Sequence, residues 1–523
     1  MIIIDSLFLY IKLRKDFNSS ILKAENLSLC QNVAFIYRLR NKKYVEGKEM
    51  TVVKSSETHP LYSQLVSIVG QNRVNDNQVI ISAYSKDACH LEAQRPGIVL
   101  MPNNVEEIQK IVRVCAETRT PIMPAGGRNG ICGACLPRVT NAVLLDMVNM
   151  NRLIDLDEDV MTVTVEAGMR WAELIHVLED RGYKLGFRGP YGGNAATVAG
   201  SVSINSMGYA ASKFGPAPED VVSLEVVLPN GEVVRTGSGW NPEAQIFTRY
   251  SSFADLTGIF LGDHGTLGVK TKVTFKIYPK AEFSTFIDLG YKNLKDATVA
   301  FLEIQKRGLT EELNCLLARE SADTYFPGLL DSHPEINATI HCVIMETDKQ
   351  LAERKVQIIR EIGLDLKGKD IGNFAAQIHW AEKFNEVQPM YNNGFWLNTC
   401  HLRPISRIPE LMDRMRAIFK KYSLDKNGIK WIADALAVDR AYAAAWVTIF
   451  APTRDKMELA EKAWNEMLDV ALETGGCPYW SGLLWENRAL ERVNANFIQL
   501  YRTIKKAIDP DNIMAPLVFE GGY

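Results

Sequence analysis

The residues best suited to chemistry lie in a loop at 121–137, which reads PIMPAGGRNGICGACLP. A short β-like run enters the loop, which then carries Gly126, Gly127, Gly130 and Gly133. Glycine adopts positive φ and permits close backbone approach, so several N–H groups of such a loop can turn inward and bind an anion. The pattern favours a phosphate or pyrophosphate ligand. It is neither a P-loop nor the Gly-x-Gly-x-x-Gly dinucleotide fingerprint, and a plain glycine-rich turn is the alternative.

Cys132 and Cys135 form a C-x-x-C pair in the same loop. A structural zinc site needs two further ligands nearby, and the eight histidines of the chain are not paired at metal-binding spacing. We therefore expect no metal site.

The composition of the 523-residue chain is that of an ordinary globular protein with two or more domains. Hydrophobic residues make up 47%, charged residues 23%, and the net charge is −3. Without a basic excess, nucleic acid is not an expected partner. Without an apolar run of about 18 residues, no membrane span is expected. The nine scattered cysteines are typical of a reducing compartment, so we expect a cytoplasmic protein.

Residues 1–49 differ from the rest and are predicted to be a non-native leader or an N-terminal arm. Their apolar start is interrupted by Asp5 and lacks a signal-peptide cleavage site. The stretch 46–49, directly before Met50, must be encoded almost wholly by purines, as in a bacterial ribosome-binding site. We therefore expect a bacterial protein whose translation begins at Met50.

The glycine loop belongs to an α/β pattern in the first half of the chain. We predict a helix from Asn104, as the N-cap, to Cys115, and a hairpin that turns at Asn230-Gly231. Small-residue stretches recur at 189–208 and 258–268. The predicted strands are 97–101, 121–124, 143–146, 161–166, 221–228, 232–236 and 270–277, and a second helix is predicted at 171–181.

The pattern changes near Pro279. Residues 281–478 lack glycine clusters and alternate long helices with short strands, which indicates a second domain. The predicted helices there include 351–362 and 457–473, and the predicted strands include 396–402 and 429–438.

Six segments, taken in order, resemble the vanillyl-alcohol oxidase and p-cresol methylhydroxylase flavoprotein superfamily, whose members carry a PCMH-type FAD-binding domain. The resemblance covers roughly residues 75–523. The segments are GGRNG at 126–130, VLLDM at 143–147, VEAG at 165–168, EVVLPNG at 225–231, GTLGV at 265–269 and DPDNIMAP at 509–516.

The resemblance implies an α+β fold, with a PCMH-type FAD-binding domain of two α/β subdomains and a cap domain in which helices flank an antiparallel sheet. We place the FAD-binding domain at 50–280, the substrate-binding cap at 281–478 and a C-terminal return to the FAD-binding domain at 479–523.

The resemblance also implies FAD as the cofactor, with its pyrophosphate held by backbone N–H groups of the first glycine loop. The second and third small-residue stretches would supply further contacts. The expected FAD-binding residues are Gly126, Gly127, Arg128, Asn129, Gly130, Cys132, Pro190, Thr197, Gly200, Ser201, Asn205, Gly268 and Val269.

The chain departs from each branch of the superfamily. It lacks the metal-binding His-x-Gly-Asp-Gly-Asn-x-His-like segment of the glycolate and D-lactate dehydrogenase branch. Arg128 stands where the berberine-bridge branch has a flavin-bound histidine. His401 lies one residue from the flavin-attachment position of the phenol-oxidising branch, which Cys400 occupies, and one residue on a strand reverses the face. We therefore expect FAD to be bound non-covalently.

Tyr479 matches one of the two tyrosines that activate a phenol in the phenol-oxidising branch. Trp480 stands in place of its arginine, and Cys132 in place of the other tyrosine. A neutral indole cannot stabilise a phenolate as a guanidinium does, so we do not expect oxidation of a simple para-substituted phenol. The candidate catalytic residues, as proton acceptors, are Tyr479, Tyr191 and His401, followed by Asp434 and Asp439.

We expect an FAD-dependent oxidase or dehydrogenase that takes a hydride from a C–H next to oxygen in an alcohol or a benzylic group. Trp380 and Trp396 indicate a flat apolar substrate or core packing. The alternatives are a metal-independent 2-hydroxy-acid dehydrogenase and a flavin subunit of an electron-transfer complex. The expected partners are a small-molecule substrate, oxygen or another electron acceptor, and a second copy in a homodimer.

Overall fold

The computed structural model describes residues 59–87, 89–316, 319–326, 328–385, 391–479 and 482–520. The expected leader at 1–49 and Trp480 lie outside the described residues. The strands are β1 (Val74–Asn75), β2 (Ile98–Leu100), β3 (Ile122–Ala125), β4 (Val143–Asp146), β5 (Leu153–Asp157), β6 (Thr162–Glu166), β7 (Tyr183–Leu185), β8 (Val221–Val227), β9 (Val233–Arg235), β10 (Val269–Pro279), β11 (Phe283–Tyr291), β12 (Glu312–Leu316), β13 (Ala338–Glu346), β14 (Lys369–Gly372), β15 (Phe395–Pro404), β16 (Lys430–Val438), β17 (Tyr442–Ala451) and β18 (Cys477–Pro478). The helices are α1 (Tyr62–Val69), α2 (Gln78–Tyr84), α3 (Val105–Thr118), α4 (Trp171–Glu179), α5 (Val198–Ser203), α6 (Ala211–Phe214), α7 (Leu294–Lys306), α8 (Arg319–Tyr325), α9 (Lys349–Asp365), α10 (Phe374–Ala381), α11 (Ile408–Lys421), α12 (Met457–Glu473), α13 (Gly482–Leu490) and α14 (Ala495–Ile508).

The first sheet presents the glycine loop. Its strand order is β1-β2-β4-β3, with β2, β4 and β3 parallel and β1 antiparallel. Strands β2 and β4 are buried along their whole length, as expected for parallel strands covered on both faces. Helix α3 begins as predicted, because the Asn104 side chain accepts a hydrogen bond from the N–H of Glu107 at 2.9 Å. The chain leaves the carboxyl end of β3 directly into the glycine loop.

The second sheet is antiparallel throughout, with the order β5-β6-β10-β8-β9 and with β7 beside β10. Strands β8 and β9 form the predicted hairpin, and Gly231 in its turn has φ +79°, a conformation that glycine adopts readily. The small-residue stretch 189–208 connects β7 to β8, and the stretch 258–268 leads into β10. Both stretches therefore lie next to the ends of this sheet.

The third sheet, which we call the cap sheet, is antiparallel and has the order β14-β11-β13-β12-β16-β17-β15-β18. Its strand registers place Asp434 opposite Trp446, and Ile432 and Asn398 on either side of Thr448. Directly paired residues point to the same face of a sheet, so these side chains share one face. The helices of residues 294–473 complete this part of the fold.

The C-terminal segment pairs with the first sheet. The N–H of Ile122 donates to the carbonyl of Ile513 at 2.7 Å, and the N–H of Ala515 donates to the carbonyl of Ile122 at 2.8 Å. Lys505 lies at the centre of this connection, because its ammonium donates to the backbone carbonyl of Met514 at 2.7 Å and to that of Thr266 at 2.8 Å. The tail is thereby fixed to the third small-residue stretch as well.

Most predicted elements are confirmed, and the α+β class with them. The strand at 143–146 and the helix at 457–473 have the predicted ends, whereas the strand predicted at 396–402 extends over Phe395–Pro404 and the helix predicted at 351–362 over Lys349–Asp365. Among the described residues, no helix combines the length and the apolar character needed to span a membrane.

Candidate active site

A cavity lies between the glycine loop, the segment 190–207 and one face of the cap sheet. Its first wall, which we call the loop wall, consists of Gly126–Ile131, Ala134, Cys135, Pro190–Gly192, Ala196, Thr197, Gly200, Ser201, Ile204, Ser206 and Met207. The opposite wall, which we call the cap wall, consists of Asn314, Tyr325, Phe326, His379, Trp396, Asn398, Ile432, Asp434, Trp446, Thr448 and Tyr479.

The glycines of the loop wall permit close packing of two backbone segments. A Cβ added at Gly127 would lie 1.7 Å from the carbonyl oxygen of Ala195, and one at Gly126 would lie 2.1 Å from Oγ1 of Thr197. Of the loop glycines, Gly133 has positive φ, at +73°, whereas Gly126, Gly127 and Gly130 do not. Close approach, rather than a left-handed conformation, is therefore the reason for glycine at 126 and 127.

The polar side chains of the loop wall mostly hold the wall together. Thr197 is the N-cap of α5, and its side chain accepts a hydrogen bond from the N–H of Gly200. The Ser201 hydroxyl accepts from the indole N–H of Trp171 at 2.8 Å, and the Asn129 amide donates to the carbonyl of Gly192 at 2.8 Å. This wall therefore offers a ligand mainly backbone and apolar surface.

Arg128 supplies the positive charge of the loop wall. Its φ is +48°, and its guanidinium stacks 3.7 Å from the ring centre of Tyr84. It also donates to the carbonyl of Ala83 at 3.2 Å. The Tyr84 hydroxyl in turn donates to the buried carboxylate of Asp146. A cation held in this way beside a glycine loop suits a phosphate ligand.

A second, smaller cavity adjoins the first and shares Gly126, Thr197 and Gly200 with it. Gly268, His264 and Lys270 line its far side. From a Cβ added at Gly200, the nearest atoms are Oγ1 of Thr197 at 3.1 Å and Cα of Gly126 at 3.9 Å. Because glycine leaves the space at this junction open, the two cavities fit one extended ligand that passes over the glycines.

The cap wall carries a buried histidine–carboxylate pair. His379, on α10, is hydrogen-bonded through Nε2 to Glu312 on β12. Both side chains are buried, and the other carboxylate oxygen of Glu312 accepts the N–H of Ala210 at 2.9 Å. A carboxylate partner orients an imidazole ring. His379 lines the cavity and is therefore a candidate proton acceptor.

Tyr479 and Tyr191 both lie on the cavity, beside Trp446. The ring centre of Trp446 is 5.9 Å from that of Tyr191 and 6.4 Å from that of Tyr479. The Tyr479 hydroxyl accepts a hydrogen bond from the backbone N–H of Met207, so it joins the cap wall to the loop wall. A contact of this hydroxyl with a substrate stays a prediction.

His401 is not among the described residues that line the cavity, so its expected catalytic role stays a prediction that this placement does not favour. Trp396 and Asn398 of the same strand do line it, and alternation along β15 turns His401 to the other face. There it packs 6.3 Å from the ring of Trp485, fully buried. Burial, followed by Arg403, lowers the pKa of His401 well below its usual value.

Three expected FAD contacts also lie off both cavities. Cys132 is buried against the cap core, Asn205 is exposed beside Gly262, and Val269 is fully buried in the pairing of β10 with β8. The expected residues that line the larger cavity are Gly126, Gly127, Arg128, Asn129, Gly130, Pro190, Thr197, Gly200 and Ser201, and Gly268 lines the smaller one.

Burial disfavours the thiolate form of the C-x-x-C pair. Burial, followed by Asp87, raises the pKa of the Cys135 thiol to about 12, and the same causes raise that of Cys132. A zinc or redox role requires the thiolate. Among the described residues, no group of three or more His, Cys, Asp or Glu side chains is placed to hold a metal ion.

His379 was not predicted from the sequence, because its partner Glu312 lies 67 positions earlier and gives no local signal. Asn398 was not predicted either, although alternation from Trp396 along the predicted strand at 396–402 was an available signal. Trp446 and Thr448 lie on β17, a strand that was not predicted. Of the aromatic candidates, Trp396 lines the cavity, whereas Trp380 is buried in the core and does not. Asp439 pairs with exposed Arg440 away from the cavity.

Comparison with known proteins gives two family models that match in succession. Residues 96–237 match the model described as FAD binding domain, and residues 289–518 match the model described as FAD linked oxidases, C-terminal domain.

Two relatives by sequence are named for small hydroxy acids. The glycolate oxidase subunit GlcD of Bacillus subtilis is 31% identical over 247 residues, which is 47% of this chain and 51% of the relative. The mitochondrial D-lactate dehydrogenase [cytochrome] of Arabidopsis thaliana is 27% identical over 510 residues, which is 90% of this chain and 83% of the relative. This chain thus spans about half the length of the first relative and most of the second.

The fold is similar to that of p-cresol methylhydroxylase, solved with substrate bound. The TM-score is 0.76 at 18% identity, and the match covers 87% of this chain and 95% of the other. At that identity the likeness concerns the fold alone.

Proposed function

We propose that this chain oxidises an alcohol that carries an aromatic or other apolar body. The chain belongs to the PCMH-type flavoprotein superfamily and is an FAD-dependent oxidoreductase. The observation that carries the proposal is the chemistry of the cap wall. It presents aromatic and apolar side chains, the uncharged polar side chains of Asn314, Asn398 and Thr448, one carboxylate and a histidine, and no lysine or arginine among the described residues. Beyond residue 58, the undescribed positions contain no lysine or arginine either.

A 2-hydroxy acid would bring a carboxylate into this cavity. Burying a carboxylate is costly unless a cation or several donors meet it. Arg128, the cation of the described lining, stands on the loop wall, stacked on Tyr84. On the cap wall, the Asp434 carboxylate would repel the acid. An uncharged alcohol avoids both costs, which supports the proposal.

The residues present fit FAD as an extended cofactor. The 126–130 loop with Arg128 would hold its pyrophosphate, and Thr197, Gly200 and Gly268 would border it along the two joined cavities. When bound, FAD accepts a hydride at its ring system. The other roles belong to the chain: the cap-wall rings orient the substrate and exclude water, and His379, oriented by Glu312, takes the hydroxyl proton on its imidazole. In this proposal, Tyr191 and Tyr479 would orient the substrate oxygen.

Anaerobic reduction of the protein-bound flavin tests the proposal with a matched pair of substrates. Benzyl alcohol and mandelate share a phenyl ring and a carbinol carbon, and mandelate adds a carboxylate. We expect benzyl alcohol to bleach the flavin faster than mandelate or D-lactate does. We expect His379→Gln to slow that step by about 10²-fold or more with FAD content unchanged. No bleaching by benzyl alcohol, or faster bleaching by mandelate or D-lactate, would overturn the proposal.

A second candidate is a 2-hydroxy-acid dehydrogenase without a bound metal. It is favoured by the relatives named for glycolate and D-lactate. In that case Arg128 would have to leave Tyr84 and pair with the substrate carboxylate. Arg128→Gln would then slow flavin reduction by mandelate far more than flavin reduction by benzyl alcohol.

A further inference from the structure

The cap wall carries one carboxylate that faces the cavity among aromatic rings. Asp434 is the residue of the stretch 431–438 of β16 that is not buried, and Trp446 is its counterpart in the stretch 443–451 of β17. The two are direct partners across the strands. Side chains of directly opposed residues lie about 5 Å apart at Cβ. The partly exposed residues of these two otherwise buried stretches therefore lie directly opposite each other.

The rings around Asp434 come from separate parts of the chain. The Tyr325 hydroxyl donates to Oδ2 of Asp434 at 2.9 Å, so this ring lies directly beside the carboxylate. Trp446 lies opposite, with the rings of Tyr191 and Tyr479 within 6.4 Å of its centre. All five residues line the cavity.

We propose that this corner of the cavity, formed by Asp434, Tyr325 and Trp446, binds a cationic nitrogen, so that the substrate is an alcohol bearing an alkylated or protonated amine. The inference rests on the proposed function, because it names the substrate class for the same cavity. An indole or phenol ring attracts a cation through its negative face. A carboxylate beside the rings adds the attraction of opposite charge, which is stronger in a partly buried cavity than in water.

The charges of the cavity are consistent with this assignment. The cap-wall residues of the described lining include no lysine or arginine. Ile432 and Thr448, which form the next pair on the same face, two residues along these strands, are uncharged. A cation at the corner thus leaves the rest of the substrate in contact with apolar and aromatic surface.

Calorimetry on the FAD-loaded protein tests the inference without turnover. Phenyltrimethylammonium and tert-butylbenzene have nearly the same shape and differ by one positive charge, and neither carries an oxidisable alcohol. We expect the cation to bind roughly tenfold more tightly or better than the neutral compound. Equal affinities, or tighter binding of the neutral compound, would overturn the inference without any variant.

Two variants locate the effect. Asp434→Asn keeps the size of the side chain and removes its charge. It should therefore lower the affinity for the cation roughly tenfold and leave the affinity for the neutral compound unchanged. Ile432→Val, on the same strand face, should change both dissociation constants by the same factor. If Asp434→Asn retains FAD and still prefers the cation to the parental extent, the inference is wrong. Because these ligands do not react, its failure is distinct from a failure of benzyl alcohol to reduce the flavin.

Discussion

Replacing Gly127 with alanine tests whether packing between two backbone segments shapes the glycine loop. The added Cβ would lie 1.7 Å from the carbonyl oxygen of Ala195 and 2.6 Å from its carbonyl carbon. Both are backbone atoms, so no side-chain rotation relieves the overlap. At Gly130, by contrast, the nearest atom to an added Cβ is the Asp87 carboxylate oxygen at 3.6 Å, an ordinary contact. Gly130→Ala is therefore the matched control.

The expected cost follows from the kind of overlap. Overpacking a well-packed site costs about 1–3 kcal/mol, and relief here requires the loop and the 195–196 segment to separate. We expect the upper end, about 3 kcal/mol, which corresponds to roughly 100-fold in an equilibrium constant. This loss is divided between the free energy of unfolding without FAD and the affinity for FAD.

Two measurements separate these contributions: urea unfolding of the FAD-stripped protein and titration of that protein with FAD, followed by flavin fluorescence. We expect the two losses of Gly127→Ala to add up to about 3 kcal/mol, and those of Gly130→Ala to stay below about 1 kcal/mol. Parental values for Gly127→Ala in both measurements would refute the packing argument. Losses as large for Gly130→Ala would indicate that the ligand, rather than Ala195, sets the requirement for glycine.

Two further predictions concern a bridging hydroxyl and a buried imidazole. Tyr479→Phe removes the acceptor of the buried Met207 N–H, so the free energy of unfolding should fall by about 1–3 kcal/mol, and a parental urea unfolding curve would contradict this. Burial lowers the pKa of His90 to about 4, and its ring packs edge-on against Trp464. Because the unfolded chain regains the ordinary value near 6.5, it takes up the proton first as the pH falls from 6.5 to 4, and stability is lost in that window. His90→Phe should lose less stability than the parent between pH 7 and pH 4.5, and an unchanged loss would refute the linkage.

Local signals predicted the elements because each depends on neighbours in the sequence. Asn104 caps α3 through an N–H three residues away, and Asn230-Gly231 sets a turn between adjacent strands. The six motifs also predicted the family, because each consists of consecutive residues and can be recognised without knowledge of the tertiary structure.

Tyr479, Asp434 and Trp396 of the cap wall were candidates from the sequence, but the contacts that join the cap wall to other segments could not be predicted, because they depend on the tertiary structure. Glu312 meets His379 across 67 positions, and Tyr479 meets Met207 across 272. Neither contact is indicated by any periodic pattern in the sequence. The register that turns His401 away from the cavity was available in principle, since alternation from Trp396 and Asn398 gives it. Motif alignment, which placed His401 one residue from an attachment position, carries no information on the strand face.

The two walls of the cavity divide the work in a way that explains why one fold can serve several substrates. The polar side chains of the loop wall are occupied in holding it together: Ser201 binds Trp171, and Asn129 binds Gly192. In the proposed assignment, cofactor binding there would depend on backbone approach, which changes in side chains elsewhere leave intact. The cap wall instead presents side chains from different strands and helices, among them His379 and Asp434. If these two act as proposed, a change on the cap wall would alter the substrate charge that the cavity accepts while the glycine loop keeps its backbone packing.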